Sequence, residues 1–337
     1  MSVPLSVLDL SPVVSGSTAR DALRSTVDLA RRVECLGYSR FWVAEHHSMP
    51  GVASAATSVL MGQVAAATAT IRVGAGGVML PNHAPLVVAE QFGTLEAFHP
   101  GRIDLGVGRA PGGSPRTTRA LRDGTDRGHE AFPEYLEQLL GFFEPAEPGA
   151  VRAIPAEGNR PQPWLLGSSV VSAALAGTLG LPYAYAFHLN DANLHPALAA
   201  YRAAFRPSRR LDRPYVMVSA WVIAAETDRR ARWLAGPSRL KAVMRRRGTP
   251  ILLPTPEEAA DHRYTDLDLK YLDGHFSSKI VGSPETVGKQ LRRLVAETEA
   301  DELIVTTRVH GTGDRIHSFE LLAEHWLNKP SQHPQDS

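Results

Sequence analysis

The chain has 337 residues, 43% of them hydrophobic, enough to bury a sizeable core within one large α/β domain. Lys and Arg total 36 against 35 Asp and Glu, a formal net charge of +1, so nothing in the balance calls for a nucleic-acid or membrane partner. One cysteine, Cys35, excludes an intrachain disulfide framework and fits a reducing cytoplasm, and no apolar run reaches membrane-spanning length.

Residues 5–8 are apolar and β-compatible, and the N-terminal stretch lacks the basic and long apolar regions of a signal peptide. Residues 20–36 follow as a helix, with Leu23, Val27, Ala30 and Val33 on its apolar face, Cys35 on or near that face, and Gly37 as its stop. Residues 41–44 predict a strand running into Glu45, His46 and His47, and residues 54–67 an alanine-rich helix. Residues 71–74 (strand), 86–98 (helix) and 103–107 (alternating strand) come next. Residues 110–128 lose all period and read as a loop or insertion.

Residues 130–143 are helical again, and 144–163 are rich in Pro and Gly. Residues 164–166, 183–187 and 215–223 predict strands, separated by helices over 170–179 and 197–205. A long basic helix covers 228–246; 248–279 is irregular, with helical hints at 257–262, and reads as a second insertion and a lid. Ser283, Pro284 and Glu285 open a helix with Val287, Leu291, Leu294 and Val295 buried. A strand at 303–306 and a helix at 318–326 close a single domain over 1–327, and 328–337 is a polar tail. About eight strands alternating with helices predict a (β/α)8 TIM barrel with insertions, a doubly wound open sheet being the alternative.

Gly106, Gly108 and Gly112 approach a dinucleotide fingerprint, but they lead into Pro115 and Arg116 rather than a helix, and Asp123 and Asp126 fall in a loop. The alternatives are that Arg109 clamps a phosphate or that it pairs with a surface carboxylate. Ser168, Ser169 and Ser172 open the helix after residues 164–166, as an anion site or as an ordinary serine cap. In a barrel both corners would open on one face. Gly76 and Gly77 end a strand, as a plain bend or as bare backbone under a flat ligand. His46 and His47 are adjacent on a strand, hence on opposite faces, and form no metal set; one lines the active face and the other is structural. Phe187 and His188, closing a strand, are candidates to line the substrate pocket, with a hydrogen-bonded structural His188 as the alternative. Arg245, Arg246 and Arg247 read as a solvated helix face, or as a lid over an anionic cofactor.

Four stretches stand out together: FWVAEHH (41–47), VGAGGVMLPNHAPLVVAEQFGTLEAFHPGRIDLGVGRAPG (73–112), WLLGSSVVSAALAGTLGLPYAYAF (164–187) and DELIVTT (301–307). Through them the chain, from residue 5 to 327, resembles the bacterial-luciferase-like flavin-dependent monooxygenases, and within them the polyketide-tailoring oxygenases of actinobacteria. The resemblance implies a TIM barrel, homodimeric through helices that include Glu90. It implies reduced FMN as co-substrate, held by Arg109, Ser169 and Ser172, with a non-proline cis peptide at Gly76-Gly77 beneath the ring. His46 matches the family's active-site base. A separate NAD(P)H-dependent flavin reductase is implied as partner, and O2 with a small organic substrate, such as an aromatic polyketide, reacting through a C4a-peroxyflavin. Two departures from the luciferase branch, Gly108 for a cysteine and Ser168 for an acid, argue against light emission. Deazaflavin (F420) hydride transfer on the same fold, or flavin binding without turnover, are the alternatives.

Overall fold

In the computed structural model, residues 2–110, 114–122 and 131–327 are described. Ten strands run in chain order: β1 (Leu5–Asp9), β2 (Arg40–Val43), β3 (Arg72–Ala75), β4 (Val78–Met79), β5 (Ile103–Gly108), β6 (Gln162–Gly167), β7 (Tyr183–Tyr185), β8 (Val216–Ala224), β9 (Ile280–Gly282) and β10 (Glu302–Thr306). Eight of them form a closed parallel ring, β1-β2-β3-β5-β6-β7-β8-β10, in which β10 pairs with both β8 and β1. The fold is therefore a TIM-type (β/α)8 barrel and not an open sheet. β4 adds to the upper end of β5, and β9 to the upper end of β8.

The helices are α1 (Ala19–Cys35), α2 (Thr57–Ala67), α3 (Pro85–Phe98), α4 (Pro115–Arg122), α5 (Phe132–Gly141), α6 (Val170–Thr178), α7 (Leu194–Ala204), α8 (Asp228–Arg246), α9 (Pro256–Ala260), α10 (Asp266–His275), α11 (Pro284–Thr298) and α12 (Thr312–Trp326). No helix among the described residues is long and apolar enough to cross a membrane. Strand parity divides the core. One cluster, including Val7, Phe41, Val73, Leu105, Tyr183 and Val305, fills the layer between strands and helices. A second, with Leu8, Trp42, Trp164, Ala184, Met217 and Ile304, fills the barrel interior.

The lower end of the interior is closed by charge. Arg40 donates to Asp104 (2.8 Å) and Glu302 (3.0 Å), Arg72 and Trp42 also donate to Asp104 (2.7 and 2.9 Å), and Tyr215 donates to Glu302 (2.9 Å). These buried carboxylates are fully paired, which is the condition under which buried charge is tolerated. Function is left to the opposite, C-terminal end of the strands.

Three local expectations change. Cys35 is exposed: the buried stripe of α1 is Ala22, Thr26, Leu29, Ala30 and Val33, and residue 35 falls off it. Within 110–128, α4 forms, opened by Ser114, whose hydroxyl accepts from the Thr117 amide (3.2 Å); residues 111–113 and 123–130 lie outside the described residues, as does the tail 328–337. The stretch 248–279 is not irregular. Thr255 with Glu258, and Thr265 with Asp268, form capping boxes that start α9 and α10. Both helices are too short to show an apolar period. They lie against α8, where Arg247 pairs with Asp268 and Arg246 donates to the Leu267 carbonyl (3.0 Å).

Candidate active site

Three neighbouring strand ends build one side of the mouth. β3 pairs Gly74 with Asp104, and β4 pairs Val78 with Val107, so the β3–β4 segment carries one residue more than β5 between these points. The extra length is taken up around Gly76-Gly77, whose peptide bond is cis, as the resemblance implied. The glycines are required by proximity. A Cβ on Gly106 would lie 2.0 Å from the Ala75 carbonyl oxygen, one on Gly77 2.9 Å from that of Gly106, and one on Gly76 2.6 Å from Leu8.

Arg109 follows directly on β5. It is half-buried and makes no hydrogen bond or ion pair with any described residue. Gly108 pairs with Leu166 of β6, which places Arg109 beside the Gly167–Ser169 corner. Ser169 caps α6: its hydroxyl accepts from the Ser172 amide (3.2 Å) and lies 3.0 Å from the Ser172 hydroxyl. Ser172 is buried, donates to the Ser169 carbonyl (2.9 Å) and approaches the Tyr183 hydroxyl (3.4 Å). Ser168 lies half-buried just ahead of them. The structure thus brings Gly76, Gly77, Arg109, Ser168, Ser169 and Ser172 onto three adjacent strands, a cation beside a helix N-terminus and bare backbone. That set suits a phosphate joined to a flat ring: among the described residues Arg109 has no partner, and a Cβ on Gly108 would meet nothing closer than 3.9 Å.

The histidines separate. His47 and His83 each place Nε2 2.8 Å from one buried oxygen of Glu45, and the other oxygen accepts from the Met79 amide (3.2 Å). His47 is therefore the structural member, holding Glu45, which ties the end of β2 to β4 through the Met79 amide. The three ligand atoms lie within 4.8 Å of one another, a set that could take a divalent ion and that the sequence pattern did not reveal, because His83 is 38 residues from Glu45. Burial pushes the Glu45 carboxyl up, but His83, His47 and the Met79 amide outweigh it and leave it below its usual range.

His46 is half-buried at the mouth, and its charge acts on His188. Ser219 donates to the Tyr185 carbonyl (3.1 Å), so at its 2.6 Å contact with His188 it accepts from Nδ1–H. That fixes the tautomer and leaves Nε2 as the lone-pair nitrogen. Loss of hydration, then Arg308, Lys279 and His46, pull the His188 pKa down to about 3, so the ring is neutral near neutrality. Phe187 does not join it. It shares parity with Tyr183 and Tyr185 and packs against the outer, helix-side core. Residues that pattern alone did not flag, Arg308, Lys279 and Lys241, also stand at the mouth; only Arg308 had a visible signal, since it follows a strand end.

The luciferase-like monooxygenase family model matches residues 4–302. Bacillus subtilis (strain 168) YvbT, described as an uncharacterized protein, is 50% identical over 96% of this chain and 97% of its own. A luciferase-like monooxygenase of Escherichia coli (strain K12) is 45% identical over 95% and 96%. The N-acetyl-S-alkylcysteine monooxygenase of Bacillus subtilis (strain 168) is 34% identical over 96% and 98%. Among solved structures, apo-MsnO8 superposes with a TM-score of 0.92 at 39% identity over 97% and 99% of the chains. The oxygenating constituent of 3,6-diketocamphane monooxygenase from Pseudomonas putida, in complex with FMN, shares the fold at a TM-score of 0.72 and 21% identity over 97% and 98%. An F420-dependent secondary alcohol dehydrogenase does so at 0.67 and 14% over 96% and 99%. The chain belongs to the luciferase-like monooxygenase family. It is a flavin-dependent oxidoreductase of the monooxygenase class.

Proposed function

We propose that the protein is an FMN-dependent monooxygenase that takes reduced FMN from a separate NAD(P)H-dependent reductase and oxygenates a small organic substrate, with an aromatic polyketide as the first class to try. The observation that carries this reading is the unpartnered Arg109 beside the Ser169–Ser172 cap, one strand from the Gly76-Gly77 corner. Arg109 and the two hydroxyls hold the phosphate, with the α6 amides adding partial positive charge. Gly76 and Gly77 let the ring lie against backbone. Reduced FMN, when bound, supplies the electrons that activate O2. His46 carries the proton, and neutral His188 offers Nε2 as an acceptor across the mouth. The barrel wall excludes water.

Fluorescence titration of the purified protein with FMN tests this, with F420 as competitor. Arg109→Gln is expected to weaken FMN at least tenfold. His46→Ala is expected to keep the FMN affinity while turnover with reduced FMN, O2 and substrate falls about 10²-fold. Unchanged FMN affinity in Arg109→Gln would remove the anchor, and tighter binding of F420 than FMN would replace oxygenation with hydride transfer.

A further inference from the structure

Around the closed ring, β5 and β10 are four strands apart in either direction, so Arg109 and Arg308, each just past its strand, stand on opposite sides of the mouth. Arg308 is the centre of a second group of cations. Its carbonyl accepts from the Ser238 hydroxyl of α8 (3.2 Å), which brings the same face of α8, with Lys241 and Arg245, against it. The Lys241 ammonium reaches in far enough to lie 2.8 Å from where a Cβ on Gly51 would be. Lys279, just ahead of β9, donates to the His188 carbonyl (2.6 Å).

Among the described residues these cations are short of counter-charge. The Arg308 Nε is shut off from solvent with no acceptor. None of Arg308, Lys241, Lys279 and Arg245 forms an ion pair with a described carboxylate; the one acid felt there is Asp191, by Lys279. Loss of hydration, then Arg245, pulls Arg308 down to about 10, and Lys241 and Lys279 are lowered by loss of hydration and then by Arg308. The other titratable groups felt there are His188, which is neutral, His46 acting on it, and His275 beside Lys279 and Arg245; none is an anion. A half-buried set of like charges with unfilled donors is unfavourable as it stands, and an incoming anion would relieve it.

We infer that this group is a substrate subsite for an organic oxyanion, a carboxylate or sulfonate, separate from the phosphate corner on the far side of the mouth. It rests on the proposed oxygenation at that mouth: a substrate held by its charged end at Arg308, Lys241 and Lys279 would extend past His46 and His188 toward the Gly76-Gly77 corner. Two anions, one on the cofactor and one on the substrate, then use two cationic walls at opposite sides, which also sets the orientation of the substrate.

Calorimetric titration with hexanoate, hexane-1-sulfonate and the neutral hexan-1-ol tests it, on the protein alone and with FMN. The anions are expected to bind at least tenfold more tightly than hexan-1-ol. Arg308→Gln and Lys241→Gln should each lower anion affinity at least fivefold while FMN affinity stays within twofold. Should Arg308→Gln fail to fold, Lys241→Gln and the exposed Arg245→Gln decide. Equal binding of alcohol and anions, or folded variants with wild-type anion affinity, overturns the subsite. Absent FMN binding with the anion preference intact would sink the cofactor reading and leave the charge site standing.

Discussion

Ser219 decides which nitrogen of His188 is available, because its own proton is committed to the Tyr185 carbonyl. The same ring carries a consequence for stability. Its pKa falls from 6.5 to about 3 on folding, so the unfolded chain takes up a proton that the folded one refuses. The stabilisation is complete above 6.5 and is lost as pH falls from there toward about 3. His188→Gln should therefore flatten the loss of urea stability between about pH 7 and about pH 4, measured against wild type. Parallel curves for the two proteins would show that the ring titrates normally. Parity was readable for the neighbouring Phe187, since Tyr183, Tyr185 and Phe187 alternate on one face. The tautomer of His188 was not, because Ser219 is 31 residues away on another strand.

The elements that meet at the glycine corner leave no room for a side chain. At Gly106 the obstruction is the Ala75 backbone, which cannot swing aside as a side chain would. Gly106→Ala is expected to cost about 3 kcal/mol in urea unfolding. Gly108→Ala, where the nearest atom is 3.9 Å away, should stay within about 0.5 kcal/mol of wild type. Similar values for the two would mean that the contact between β3 and β5 relaxes freely. Of this corner, the strand ends and the glycines were legible in the sequence. The pairing of β4 with β5 was not, as two residues give no alternation to read. Of the two short helices, α9 falls where helical hints stood at 257–262, while α10 gave no sign in the sequence; both open on threonine caps, Thr255 and Thr265.

Across the whole molecule, α2 and α3 pack together with Val59, Val87 and Phe98 exposed, Phe98 at 77%. Glu90 is half-buried on α3, and Ser58 donates to Gln91 between the two helices (2.9 Å). Large apolar side chains exposed on two helices that pack together suit a second copy of the chain, the homodimer that the resemblance implies. Light scattering after size exclusion is expected to give twice the mass of 36.5 kDa, and Val87→Asp to return it to the monomer. A monomeric wild type at micromolar concentration would discard that face.

The sequence by itself determined the order of the eight barrel strands and of the main helices between them, the glycine corners, the serine opening of α6 and the positions of Arg109 and His46 at strand ends. All of these rest on contacts between near neighbours in the chain: apolar period, capping hydroxyls, turn chemistry. Only the tertiary structure decided what those ends face. Ring closure through β10 and β8, joining residues 85 apart such as Val218 and Leu303, sets Arg308 opposite Arg109, and the pairing of β2 with β3 brings His83 to Glu45. Charge and hydrogen-bond partners at the mouth are fixed by that closure, which no local pattern encodes.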